Sequence, residues 1–360
     1  MSVRVVGGPA TLRARLHRHG RTRYRSSCDQ RCLERITEVK SQGDLSRNWS
    51  EGLTRAAIDP TNRHVLRDDV VRSYAVAELV TLARDGAPVC WPMMPAYERE
   101  RLAFSTGLMY PMKARNARRD PRVAALFSDP TASGRSQDDP FVLVQGLAEV
   151  FDHDIQRNTE RYIAQLMGKS SLMRFVLRSA VGRKAMAGYL ARIWIEVIPQ
   201  REHVWDRGSA LPPAIGFMSR PASFVVRAPV ALDRAMPWLR RYPRPPVLAY
   251  LDEHGWSAAV RVHVAVRSDH IEISGGPRAE DGAPACLTYH RLIGNYRAND
   301  AFLIRGHMRA DRFFPEKLVG YGGTRDDRGI GSLKLLAFIG DLTRRLPDEL
   351  ARQGRPPLKL

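Results

Sequence analysis

The run 104–127, FSTGLMYPMKARNARRDPRVAALF, concentrates the residue types that hold an anion. Ser105 and Thr106 place hydroxyls at the end of an expected strand, and Gly107 permits close approach to the backbone. Lys113 and Arg115 open a short basic helix over residues 112–119, whose free N–H groups also favour negative charge. Arg118, Arg119 and Arg122 extend the positive field. Hydroxyls, backbone N–H groups and one or two cations are what a phosphate monoester needs. The competing reading of the same residues is a solvated basic helix that stops at Asp120-Pro121.

Other chemistries have little support. The ten histidines form no H-x-x-x-H or H-E-x-x-H pair, so no metal site is expected. Cys28 and Cys32 have three residues between them in CDQRC, with no second pair nearby. Cys90 and Cys286 read as buried thiols. Neither a G-x-S-x-G nor a P-loop occurs. The stretch 321–331, YGGTRDDRGIG, lacks a dinucleotide fingerprint and reads as a loop. Residues 169–192 mix six cations with apolar positions. They fit an amphipathic helix covering a barrel end, or a surface for an anionic membrane or nucleic acid.

The elements that would position these residues are mostly strands. Residues 72–84 suit a short helix, or a helix leading into a strand, before the turn at Asp85-Gly86. The proline-punctuated run PVCWPMMP, residues 88–95, suits an edge or bulged strand. Strands are expected over 101–106, 123–128, 141–150 and 192–199, with Gly146 marking a bulge or bend. Helices are expected over 154–167 and 169–190. Antiparallel-type strands with few long helices favour a small barrel over a βαβ sheet.

The chain has 360 residues, enough for two domains or three. With 44% hydrophobic and 26% charged residues it is neither wholly disordered, collagen-like nor a disulfide scaffold. Few cysteines and no signal-like N-terminus point to a cytoplasmic protein, and no apolar run suggests a membrane span. There are 57 Lys+Arg against 38 Asp+Glu, a formal charge of +19. Such a chain suits a phosphorylated small molecule, an anionic surface or nucleic acid, although a merely solvated surface also explains it. Residues 1–50 hold Arg4, Arg13, Arg15, Arg18, Arg21, Arg23 and Arg25, and read as a disordered basic arm.

The pattern of the first half returns, weakened, in the second. Leu79 stands to Gly86 as Leu248 stands to Gly255. The segment HIEIS, residues 270–274, parallels RLAFS, and AFLIRGHMRA, residues 301–310, parallels FVLVQGLAEV with Gly306 in place of Gly146. Nothing in the second copy matches the basic helix. Two like barrels side by side are expected, with an interface suited to a ligand.

The succession STG, Lys113, RRDPRVAALFSDP, FVLVQGLAEV and RIWIEVIPQREHVW resembles the pyridoxamine 5′-phosphate oxidase-like, FMN-binding split-barrel family, best over residues 77–205 and faintly over 246–309. The resemblance implies a mainly β (α+β) protein of two tandem split β-barrels forming a pseudo-dimer. The expected divisions are residues 1–50 (arm), 71–207 (first barrel), 208–322 (degenerate second barrel) and 323–360 (helical tail). It implies a flavin-type oxidoreductase binding FMN, or alternatively a deazaflavin or haem, and acting on a small-molecule substrate. A non-catalytic carrier or sensor and a nucleic-acid-associated protein are the alternatives. By the resemblance, Ser105, Thr106, Gly107 and Lys113 hold the cofactor phosphate, with Arg115 helping. Trp91, Pro92, Met93 and Met94 run under the ring, where the vitamin-processing oxidases place an Arg and a Lys. Arg261, His263, Tyr289 or His307 would cover the ring from the second barrel. The chain is expected to be a monomer, as an internal pseudo-dimer, or a homodimer.

Overall fold

A computed structural model describes residues 73–98, 101–131, 139–206, 219–230, 244–293, 298–321 and 332–360, with 232, 239 and 242 as single positions. The basic arm, with Cys28 and Cys32, lies outside the described residues, as do most of the linker after Gly208 and the glycine-rich stretch after Tyr321.

Two seven-stranded antiparallel sheets dominate, each curled into a split barrel. The first comprises β1 (Ala77–Leu82), β2 (Pro88–Met93), β3 (Ala96–Glu98), β4 (Arg101–Gly107), β5 (Arg122–Phe127), β6 (Phe141–Phe151) and β7 (Arg192–Trp205), in the order β2-β1-β5-β6-β7-β4-β3. The second comprises β8 (Val247–Leu251), β9 (Ser257–Arg261), β10 (His263–Val266), β11 (Ile271–Ser274), β12 (Ala279–Ile293), β13 (Ala298–Ala310) and β14 (Arg312–Tyr321), in the order β10-β11-β14-β13-β12-β8-β9. Read from the other edge, the second order is the first with every strand advanced by seven. The faint sequence repeat is therefore a full topological repeat.

Its landmarks coincide. Gly86 and Gly255 take positive φ, 77° and 73°, in the turns between the first two strands of each copy. Only glycine adopts that conformation without strain. Gly146 and Gly306 each mark the register shift of the long sixth strand, β6 and β13. A Cβ at Gly146 would lie 2.5 Å from the Ile198 carbonyl oxygen, so the neighbouring backbone excludes any side chain.

The copies differ in their helices. In the first, α1 (Met112–Arg119) joins β4 to β5. Between β6 and β7 lie α2 (Ile155–Lys169), α3 (Ser171–Leu177), α4 (Ala180–Ala185) and α5 (Ala187–Leu190). In the second, residues 275–278 join β11 to β12, and Asp311 alone joins β13 to β14. A final helix, α6 (Ser332–Arg352), packs against α4 and α5.

Two expectations change. Residues 77–82 form a strand, which removes the short-helix alternative for this stretch; Ser73, the first described residue, is helical. Every residue of β1 is buried, so two packing faces override the helical spacing. Residues 169–190 form three short helices instead of one. The Ser170 and Ser179 hydroxyls accept from the Met173 and Gly182 N–H groups, starting new helices at those points.

Each barrel buries the other's β1-type and β2-type strands. The centre of the contact is ionic. Glu78 is fully buried and meets Arg261 of β9 at 2.7 Å and His290 Nε2 of β12 at 2.7 Å. Ser128 Oγ donates to both Glu78 oxygens, at 2.9 and 3.0 Å, and accepts from Arg261 Nε at 2.8 Å. Asp129, with Arg244 as its cation, lies 3.9 Å from His290 Nδ1. Burial pushes the Asp129 carboxyl up, but bonds from Thr131 and the His290 and Arg261 charges leave it below its usual value. Nearby, Gln145 Nε2 donates to Asp252 and to the Ser257 carbonyl, both at 3.0 Å, and Ser257 Oγ donates to the Arg122 carbonyl.

Gly146→Ala is expected to lower stability by about 1–3 kcal/mol, the cost of overpacking, seen as a lower urea midpoint. Arg261→Ala leaves the Glu78 carboxylate buried without its guanidinium. It is expected to cost about 3–5 kcal/mol, measured the same way.

Candidate functional site

The basic helix forms where the sequence places it. Its buried face is Lys113, Ala114, Asn116 and Ala117, which closes one end of the first barrel. Asn116 Nδ2 donates to Thr81 Oγ1 at 3.1 Å, and Arg119 donates to the Leu82 carbonyl at 2.6 Å, fixing the helix on β1. That anchorage draws Lys113 inward. Only 8% of the residue is exposed, and its Nζ lies 4.5 Å from the centre of the Trp91 ring.

A second cation stands close by. Arg192 opens β7 opposite Gly107 of β4, and its Nη1 lies 3.4 Å from where a Gly107 Cβ would be. The Arg192 guanidinium sits over the rings of Tyr162 and Tyr189, 4.0 and 4.4 Å from their centres, and the two hydroxyls are 3.1 Å apart. Burial first, and the Arg192 charge second, depress the Lys113 ammonium from 10.5 to about 8. Two cations held together under cover, beside aromatic faces, make a place where an anion is favoured.

The remaining sequence candidates divide by strand face. Ser105 pairs with Trp194, and Gly107 with Arg192, so these alternate residues share the face toward Arg192. Thr106 faces the other way and donates from Oγ1 to the Tyr110 carbonyl at 3.1 Å, tying down the loop before α1. Arg115 is exposed, and its charge acts on Glu349 of α6. Trp91 and Met93 belong to the main core, whereas Met94 packs with the helical cluster around Tyr162 and Leu166. Pro92 is buried opposite Glu78.

In the second barrel, Arg261 is committed to Glu78, and His307 Nδ1 bonds Glu316 at 2.8 Å. Tyr289 is buried, which raises its hydroxyl beyond its usual value, and His263 is exposed. Burial pushes both thiols, Cys90 and Cys286, up, which suppresses nucleophilic chemistry there. Among the described residues no three His, Cys, Asp or Glu side chains are placed to hold a metal ion. Sequence reasoning missed Arg192 and its tyrosine clamp. The signal was Tyr162, Tyr189 and Arg192 themselves, which fall on three different elements.

Several solved structures are similar to part of this chain. A conserved hypothetical protein from Mycobacterium tuberculosis is 26% identical over 38% of this chain and 81% of its own, at a TM-score of 0.29. An F420 reductase is 20% identical over 38% of this chain and 94% of its own, at 0.26. A protein from Clostridium acetobutylicum, related to general stress protein 26 and of the pyridoxinephosphate oxidase family, is 10% identical over 39% of this chain and 87% of its own, at 0.27. No family model and no curated protein matches the sequence.

The Lys113 shift predicts a stability effect. In the unfolded chain a lysine titrates near 10.4. Between about pH 8 and that value the unfolded chain holds more protons, so stability rises with pH there. Below pH 8 the cost of the buried charge is fully present. Lys113→Met in phosphate-free buffer is therefore expected to raise the melting temperature by several degrees at pH 7. The gain is expected to vanish near pH 10.5, in paired thermal melts.

Proposed function

We propose that the chain binds a phosphate-bearing planar redox coenzyme, FMN or a deazaflavin, and works as a flavin-type oxidoreductase on a small organic substrate. The observation that carries this reading is the Lys113–Arg192 pair, held under cover beside the Trp91, Tyr162 and Tyr189 rings. Burial and the Arg192 charge disfavour the Lys113 ammonium, and an incoming phosphate would favour it. These residues fit the anionic end of such a coenzyme. Lys113 and Arg192 would neutralise it, and Ser105 and the Gly107 backbone, on the Arg192 side of β4, would bond it. Of residues 91–94, Met94 is half-buried and is the one left to meet a ring, the other three being buried.

The bound coenzyme would supply hydride or electron transfer. The chain's own residues would bind, orient and exclude water. No cation occupies residues 92–94, so recognition of a second phosphate on the substrate has no basis on this strand. Arg261 and His307 are already engaged with carboxylates, which favours a second reading, a carrier or sensor of the coenzyme. The nucleic-acid reading rests on the arm, outside the described residues.

Ligand-free protein titrated with FMN, a deazaflavin and haem, followed by absorbance and fluorescence, tests both. One equivalent of FMN or deazaflavin is expected to bind. Lys113→Ala and Arg192→Ala are each expected to raise Kd about ten- to a hundredfold, the loss of one charge-assisted contact. Arg115→Ala, exposed, is expected to change it by no more than a few-fold. Binding unaffected by both Lys113 and Arg192 substitutions overturns the site. Reduction of the bound coenzyme by NAD(P)H, followed by turnover, separates enzyme from carrier.

A further inference from the structure

The helices between β6 and β7 present a surface that neither the barrel nor the cation pair explains. From Arg161 to Ile195 the chain contains no Asp or Glu and seven Lys or Arg. Within this acid-free segment three large apolar side chains face solvent: Leu172 is 54% exposed, Phe175 79% and Val181 79%. They alternate along the chain with Arg174, Arg178 and Lys184, all exposed.

The corner that holds them is locked. Ser179 Oγ accepts from Gly182 N at 3.0 Å and donates to the Val176 carbonyl at 3.3 Å. Arg183 Nη1 donates to the carbonyls of Leu177 and Arg178, at 2.9 and 3.1 Å. A Cβ on Gly182 would sit 2.0 Å from the Val176 carbonyl oxygen, so the tight passage from α3 to α4 requires glycine. Leu177 and Met186 turn inward, to the cluster around Tyr162 and Leu190, and leave Phe175 and Val181 pointing out. The acids of the adjoining helix α6 do not offset the charge of this corner: Asp341 pairs with Arg344 and Arg345, and Glu349 with Arg352, while with Asp348 as its third acid the helix still carries four cations, Lys334, Arg344, Arg345 and Arg352.

We propose that the α3–α4 corner docks the chain on an anionic phospholipid surface. Leu172, Phe175 and Val181 enter the boundary between headgroups and acyl chains, and Arg174, Arg178 and Lys184 meet lipid phosphates. Charge complementarity selects this occupant. A bare apolar knob would suit any apolar partner, but one ringed by cations without an acid in its segment suits a surface that is negative outside and apolar beneath. Nucleic acid would use the cations and leave Phe175 and Val181 in water. No helix among the described residues is long and apolar enough to cross a membrane, so the contact is peripheral. The proposal is independent of the coenzyme reading.

The test is flotation of the full chain with two kinds of vesicle, phosphatidylcholine alone and equal parts phosphatidylcholine and phosphatidylglycerol. Binding is expected to the mixed vesicles only, and to weaken in high salt. The double variant Phe175→Ser/Val181→Ser, altered only at exposed positions, is expected to lose at least about tenfold in partitioning, with its melting temperature unchanged. Arg174→Gln and Lys184→Gln are each expected to lose about fivefold. Phe175→Trp is expected to shift its emission to the blue on mixed vesicles, a readout that needs no loss of function. The proposal is overturned by failure of the full chain to float, or by flotation of the double variant as well as its parent. Loss of a dimer in the double variant without any lipid effect would assign the corner to a second copy. Loss of duplex DNA binding alone would assign it to nucleic acid. Either also overturns it.

Discussion

A carboxylate with no access to water must find its counter-charge inside the protein, and Glu78 finds it in the opposite barrel. Burying an ion costs several kcal/mol unless a well-placed partner and further hydrogen bonds accompany it. Arg261, His290 and Ser128 supply those together. The strand that carries Glu78 is buried on both faces, so it cannot exist as the surface of a lone barrel. The two halves are thereby one cooperative structure. Everything near β1 and β2, including Trp91 and the helix that closes the barrel over it, inherits its position from that contact.

The cation pair sits at the other extreme of electrostatic design. At Glu78 opposite charges cancel. At Lys113 a buried ammonium faces another cation and an aromatic ring, and titrates far below an ordinary lysine. The fold tolerates this because α1 is fastened by bonds that do not involve Lys113: Asn116 to Thr81, and Arg119 to the Leu82 carbonyl. A well-fastened helix thus carries an ammonium that burial and a neighbouring guanidinium disfavour.

Much of this was legible in the residues. The alternating and proline-bounded runs marked β2, β4, β5, β6 and β7, because half-buried and fully buried strands leave period-two or continuous apolar signatures. The glycines at 146 and 306 were legible because a backbone approach that forbids Cβ admits no substitute. The spacing of Leu79 to Gly86 and of Leu248 to Gly255 carried the repeat. The short-helix alternative for residues 72–84 had no such safeguard, since a strand buried on both sides shows no polar face. The break of residues 169–190 at Ser170 and Ser179 depended on capping bonds that spacing alone does not display. Arg192 was read as the first residue of a strand and as one of the six cations of residues 169–192, not as a neighbour of Lys113. Its role emerges when a tyrosine from α2 and another from α5 close on it, a meeting that three separate stretches of sequence do not announce.

The register permits one comparison across the internal symmetry. Glu78 pairs with Pro92 between β1 and β2, and Val247 with Arg261 between β8 and β9. Under the repeat, then, Glu78 corresponds to Val247 and Arg261 to Pro92. A contact between carboxylate and guanidinium on one side of the pseudo-axis is matched, on the other, by valine and proline. Two identical subunits could not hold that arrangement, since each would have to carry both versions at once. Tethering the halves in a single polypeptide lets acid be written into one and base into the other, and fixes which half is which.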